Sequence, residues 1–203
     1  MNVLVTAFEP YGEWELNASW LALVELTSEL PVFPRITTRL YPVDYDEVRR
    51  RIAKDLSDNY DYVLHLGQSP GSSAIALESI AVNVSSQPGQ TASKFGTLVE
   101  DGPVAYQSAM PLASLAQGIC DEGVPAHVSF HAGTYLCNAA LYFTQHQIAT
   151  KNLPTQATFV HLPLAMSQVV NAEDSKPALP SSVVALGLRR MLMMIGEYGS
   201  QLA

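Results

Sequence analysis

Residues 129–148, SFHAGTYLCNAALYFTQHQI, decide how this chain is read. Ala126 to Phe130 leads in as a strand, and Thr134 reads as a helix N-cap followed by an apolar helical stretch. Beyond the helix, Thr158 to His161 within ATFVHLP reads as a further strand. A strand, helix and strand in that order indicate an α/β fold. The spacing places Cys137 in the first helical turn, where unpaired amides and the positive end of the helix dipole favour a charged sulfur. Free cysteine is also among the most buried residue types, so a small core side chain is the plainer reading of this one. Between Glu122 and Glu173 the only charged residue among Asp, Glu, Lys and Arg is Lys151, which puts this region in the middle of the molecule. A thiol there would sit in a sheltered cleft.

Working outward, Asn2 to Ala7 reads as a buried strand, and Asn17 as the cap of a helix running to about Glu29. The intervening FEPYGEWEL carries Phe8, Tyr11 and Trp14, and loops after strands are where α/β sheets bind ligands. These rings either wall a pocket or pack against the body of the protein. Arg35 to Val43 suggests a second strand. Tyr45 to Leu56 suggests an exposed helix with Val48, Ile52 and Leu56 inward, and Tyr62 to Leu66 a third strand. The loop GQSPGSS that follows has glycines but neither Gly-Lys-Ser/Thr nor GxGxxG, so it is not a phosphate cradle. SAIALESIAVNV is rich in Ile and Val; as a strand it would bury Glu78 beside Ala76, and a buried carboxylate needs a partner. As a helix it would turn Glu78 to water. Residues 85–102 read as a long loop and Leu112 to Asp121 as a short helix. Residues 173–182 read as a linker, and Ser182 as the cap of a last helix with Val184, Leu188, Met191 and Ile195 on one face.

With 203 residues, 48% of them hydrophobic and 15% charged, one domain spanning 1–203 is expected. A net charge of −8 and no basic run beyond Arg49 to Arg51 argue against nucleic acid as a partner. No segment approaches the roughly 20 apolar residues of a membrane span, and the start MNVLVTAFEP has no basic leader, so a cytoplasmic protein is expected. Cys120 and Cys137 would both be free in a reducing compartment. No closely spaced Cys and His ligands suggest a metal, and no cofactor is implied.

A catalytic thiol needs a histidine to manage its proton and a third group to orient the imidazole. His146 lies nine residues past Cys137 on the same helix, about 180° around the axis, and cannot face the sulfur. His65 and His161 both fall at strand ends, while His127 and His131 lie in or just after the strand leading to Cys137. Spacing alone does not choose between them.

VLVTAFEPYGEWELNAS, HLGQSPGSSAIALESIAVN, SFHAGTYLCN and ATFVHLP, taken together and in that order, resemble four motifs of the type I pyroglutamyl peptidases, also called pyrrolidone carboxyl peptidases. The resemblance spans nearly the whole chain. It implies a three-layer α/β/α fold with a central twisted, mixed but mostly parallel sheet. It also implies Cys137 as nucleophile, His161 as base and acid and Glu78 as orienting carboxylate, with Phe8, Tyr11, Asn17, Gln68, Tyr135 and Leu136 lining a pyroglutamate pocket. The activity implied is removal of an amino-terminal pyroglutamyl residue from peptides, without metal, by an enzyme of a family that forms tetramers. Ser72 and Ser79 stand where the family has arginines, its RIPDNEG-type loop is not recognisable in 85–102, and Tyr11 replaces a phenylalanine. Two other readings follow from those departures: a cysteine hydrolase for a different small acyl group, or a non-catalytic binding protein that kept the fold.

Overall fold

The computed structural model describes residues 1–201. In chain order the elements are β1 Asn2–Phe8, α1 Ala18–Thr27, β2 Arg35–Tyr41, α2 Tyr45–Asp55, β3 Tyr62–Gln68, β4 Ile75–Glu78, β5 Ile80–Val82, β6 Ala105–Gln107, α3 Leu112–Asp121, β7 Ala126–Ser129, α4 Leu136–Lys151, β8 Gln156–Leu162, β9 Leu164–Ala165, α5 Met166–Val169, β10 Ala178–Leu179 and α6 Ser181–Gln201. Six strands form one sheet in the order β2-β1-β3-β8-β4-β7. The first four run parallel, β4 pairs antiparallel with β8, and β7 runs parallel to β4.

Strand residues alternate between two cores, which is why these segments are apolar almost throughout. Val3, Val5, Leu64, Leu66, Val160 and Leu162 point to one face and meet α1, α3 and α6, including Val184, Leu188, Met191 and Ile195. Leu4, Phe8, Val63, Ala157 and Phe159 point to the other and meet α2 and α4, with Val48, Ile52 and Leu56 among them. The expected three-layer, mixed but mostly parallel arrangement is therefore the observed one.

Two expected caps differ. The last helix begins at Ser181, and the amides of Val183 and Val184 are received by the Pro180 carbonyl, so Ser182 lies inside it. Thr134 does not cap α4: Tyr135 holds the cap position without a side-chain bond, and the Thr134 hydroxyl instead meets Ser86 Oγ at 2.8 Å. Asn17 does cap α1. Its Oδ1 accepts from Ser19 N at 3.0 Å and Ser19 Oγ at 2.8 Å, while its Nδ2 donates to the Glu9 carbonyl at 3.0 Å.

His65, one of the histidines at a strand end, is fully buried and bridges two hydroxyls. Nδ1 lies 2.7 Å from Thr6 Oγ1 and Nε2 lies 2.8 Å from Thr144 Oγ1, tying β1, β3 and α4 together. Burial pushes its pKa from 6.5 down to about 3. Below pH 6.5 the unfolded chain takes up a proton here that the folded protein refuses, so stability rises with pH and is lost as pH falls. The loss is about 1.4 kcal/mol per pH unit for this one proton. Urea unfolding at about pH 7 and about pH 5 should show a drop on the order of 2 kcal/mol that is absent in His65→Asn.

Candidate active site

The parallel strands β1, β3 and β8 end at one rim, and the chain leaves β1 toward β2 on one side and β3 on the other. A crevice opens at such a reversal of strand order. Phe8, Gln68 and His161 all lie at that rim.

Strand register brings Glu78 and His161 together. Ala76 pairs with His161 and Glu78 with Phe159, so Glu78 and His161 are diagonal neighbours on one face of the sheet. Glu78 Oε1 lies 2.7 Å from His161 Nδ1, and both side chains are buried from most solvent. Among the described residues Glu78 Oε2 has no hydrogen-bond partner, and the imidazole is the one polar group the carboxylate engages. SAIALESIAVNV, read as either one strand or a helix, is two strands in different sheets, and β4 buries Glu78 as the strand reading expected.

Cys137 arrives from the opposite direction, as the second residue of α4. Its neighbour Asn138 pins that end of the helix to β5. Oδ1 accepts from Val82 N at 2.8 Å, and Nδ2 donates to the carbonyls of Val82 and Val84 at 2.9 and 3.0 Å. The loop after β5 is clasped to the same end, Ser86 N donating to the Thr134 carbonyl at 2.9 Å and the Tyr45 hydroxyl to the Ser86 carbonyl at 2.7 Å. His161 and Cys137 face the same hollow. Burial disfavours the imidazolium, but the attraction of the sulfur and the Glu78 carboxylate outweigh that and raise the His161 pKa. His146 is elsewhere, its Nδ1 2.9 Å from the Tyr106 hydroxyl, and His127 and His131 are exposed.

Two hollows meet at the sulfur. The inner one, a cavity of about 40 Å³, is lined by Phe8, Tyr11, Asn17, Gln68, Tyr135 and Leu136, which are the six residues expected there, with Val43, Gly67 and Cys137. No Asp, Glu, Lys, Arg or His stands in its wall. The outer one, of about 500 Å³, holds Glu78, His161, His127 and His131 and shares Tyr11, Tyr135 and Cys137 with the inner pocket. The Asn17 Oδ1 is taken up by Ser19 and one Nδ2 hydrogen by the Glu9 carbonyl, which holds the Phe8 to Leu16 loop in place beside the pocket. Burial, reinforced by the Cys137 sulfur and opposed by the nearby Gln68 amide, pushes the Tyr11 hydroxyl up to about 12 and keeps it neutral.

Val43 carries no motif that sequence reasoning could use, and Gly67 falls inside HLGQSPGSS without a role assigned to it. Gly67 is needed because a Cβ there would stand 2.3 Å from Phe159 Cζ and 3.3 Å from Cys137 Sγ. Phe159 is fully buried and packs on Phe8 and His161 at ring-centre distances of 6.0 and 4.8 Å, so it has nowhere to go. Gly67→Ala should destabilise the fold by about 1–3 kcal/mol in urea unfolding and lower kcat/KM together with it.

A thiol, an imidazole and a carboxylate brought together beside a small neutral pocket, on an α/β scaffold, are the equipment of a cysteine peptidase. Comparison with known proteins makes the class specific. The family model for pyroglutamyl peptidase matches residues 1–197, and the chain belongs to that family, an enzyme family of cysteine peptidases with the omega-peptidase reaction. The chain is similar to the pyrrolidone-carboxylate peptidase of Streptomyces coelicolor, 35% identical over 198 residues that cover 94% of this chain and 90% of that one. It is also similar to the enzyme of the same name from Thermococcus kodakarensis, 32% identical over 202 residues covering 97% of each. The crystal structure of pyrrolidone carboxyl peptidase from Pyrococcus furiosus superposes with a TM-score of 0.89 at 28% identity, covering 98% of this chain and 99% of that one. The Fervidobacterium islandicum AW-1 enzyme gives 0.89 at 29% identity, covering 97% and 99%. Among the described residues no helix is long and apolar enough to cross a membrane, and no group of three or more His, Cys, Asp or Glu could hold a metal ion.

Proposed function

We propose that this protein hydrolyses the bond between an amino-terminal pyroglutamyl residue and the rest of a peptide, using Cys137, His161 and Glu78. The observation that carries the reading is the small, uncharged, aromatic-walled pocket opening directly on the sulfur. A lactam is flat and neutral, and suits such a slot. A free amino terminus would have to leave its charge there unpaired, which is costly.

In this reading the pyroglutamyl ring lies against Phe8 and Tyr11, with Gln68 Nε2 donating to its carbonyl, since that nitrogen is buried and makes no hydrogen bond among the described residues. The peptide beyond the scissile bond lies in the outer hollow. The Cys137 sulfur attacks the carbonyl carbon. The first-turn amides of α4, which no side chain caps, stabilise the oxyanion, the amide of Cys137 among them. His161, whose Nδ1 is held by Glu78, gives the proton on Nε2 to the departing amine as the C–N bond breaks. Water then attacks the thioester. His161 takes the proton of that water, and the sulfur leaves, releasing pyroglutamate and restoring the enzyme. No charge is moved through solvent at either step. The two cysteines, both free, fit a reducing compartment such as the cytoplasm.

A panel of acyl-aminocoumarin amides tests the substrate. Turnover of the pyroglutamyl member, with prolyl and alanyl members not cleaved, is expected. Cleavage of another acyl group without pyroglutamyl turnover would overturn the reading in favour of a different cysteine hydrolase, and no turnover at all would favour a binding protein.

A further inference from the structure

We infer that Gln168, on the short helix α5, is a positioning residue for the acyl pocket: it fixes which end of the Gln68 side-chain amide is left for the ligand. The pocket then demands an acyl ring carrying a hydrogen-bond acceptor. The inference rests on the pyroglutamyl reading above and goes beyond it by assigning the origin of that demand.

Three backbone groups set the sense of both side-chain amides. The Ala165 N–H needs an acceptor and finds Gln168 Oε1 at 2.8 Å. That turns Gln168 Nε2 the other way, where it donates to the Leu16 carbonyl at 3.0 Å and to Gln68 Oε1 at 2.7 Å. Gln68 Oε1 also accepts from the Ala18 N–H at 2.8 Å. With two donors converging on its oxygen, Gln68 can turn only its nitrogen to the pocket it lines, where it neighbours the Tyr11 hydroxyl; among the described residues that buried nitrogen makes no hydrogen bond. Rotating the Gln168 amide by half a turn would set its oxygen against the Leu16 carbonyl and Gln68 Oε1 while leaving Ala165 N–H facing an NH₂. An unmade buried bond of this kind costs about 1–3 kcal/mol, and the half-turn creates several. Gln168 is 100 residues from Gln68 and 152 from Leu16 in the chain, so α5 reaches across to brace both the end of β3 and the loop before α1. It touches no part of the proposed reacting centre.

Gln168→Glu tests this directly, because the carboxylate still serves the Ala165 N–H but presents oxygen to Leu16 and Gln68. The probes are pyroglutamyl-aminocoumarin as substrate and cyclopentanecarboxamide as competitive inhibitor, a ring of the same size without lactam carbonyl or N–H. The expected result is a KM for the pyroglutamyl substrate raised roughly tenfold or more, with kcat changed less and the inhibition constant of the carbocycle unchanged or lower. Gln168→Met, which removes the orienting donor without adding a charge, should raise the same KM by a smaller factor. It is the variant to be read if Gln168→Glu does not fold. An unchanged KM, or equal weakening of substrate and carbocycle, would overturn the assignment while leaving the pyroglutamyl reading intact. Failure of the unsubstituted protein to cleave the pyroglutamyl substrate would remove both.

Discussion

Cys137→Ser is expected to lower kcat/KM toward a pyroglutamyl substrate by roughly 10³-fold or more, with the thermal melt and circular dichroism little changed. The side chain keeps its shape within one atom, and Cys137 is only half-buried, packed at the edge of the core. What is lost is the nucleophile. A serine hydroxyl beside His161 stays protonated at neutral pH, and the imidazole loses the sulfur, which is the strongest of the groups holding a proton on it. The helix N-terminus also has less to act on, since its positive end favours an anion and a neutral hydroxyl gains little from it. Activity within tenfold of the unsubstituted protein would show that some other group attacks.

Glu78→Gln is expected to be nearly as damaging, lowering kcat/KM by on the order of 10² to 10⁴-fold. Either orientation of the new amide fails. With its oxygen on His161 Nδ1, its NH₂ occupies the place of Oε2, where nothing accepts a hydrogen bond, and a buried donor is stranded at about 1–3 kcal/mol. With its NH₂ on Nδ1, the imidazole is forced into the tautomer that carries its proton on Nε2 as a neutral ring. Removing the carboxylate also lowers the His161 pKa, because Glu78 is one of the groups that raise it. A group with a raised folded pKa keeps its proton until pH climbs through that value. The alkaline limb of the pH–rate profile should therefore move to lower pH in Glu78→Gln, and an unmoved limb would mean that the carboxylate does not act through the imidazole.

Much of this was legible in the sequence, for identifiable reasons. Strands β1, β3 and β8 are buried on both faces and so read as largely apolar runs. Asn17 announces α1 because its cap is local, two residues from the amide it receives. The stripe Val48, Ile52 and Leu56 follows from helical period alone. What was not legible depends on contacts between distant segments. Thr134 looked like a cap, but its hydroxyl is taken by Ser86, 48 residues earlier. Choosing His161 over His65 requires strand register. Both rings sit on the same sheet face, yet His65 pairs with Phe159 and lies between Thr6 and Thr144, while His161 pairs with Ala76 and reaches Glu78. Gly67 carries no signal until Phe159 and Cys137 are seen against it. Gln168 stands in a stretch without periodicity, and its role appears only when Leu16 and Gln68 are brought to it.

Ser72 and Ser79, where arginines stand in the family pattern, have settled into local bonds. The Ser72 hydroxyl donates to the Ala74 carbonyl at 2.7 Å, and Ser79 is buried in the backbone network that joins it to Ser129 and Ser108. Neither adds charge to the rim of the site. Neither lines the inner pocket.

The central claim is that the sulfur, imidazole and carboxylate act as one unit, and the rate of Cys137 alkylation by iodoacetamide at neutral pH measures it most directly. The exposed Cys120 serves as the reference thiol in the same molecule. The account predicts that Cys137, though less exposed, is alkylated faster than Cys120, and that His161→Ala removes the advantage. Equal rates at the two cysteines, or a Cys137 rate untouched by His161→Ala, would contradict it.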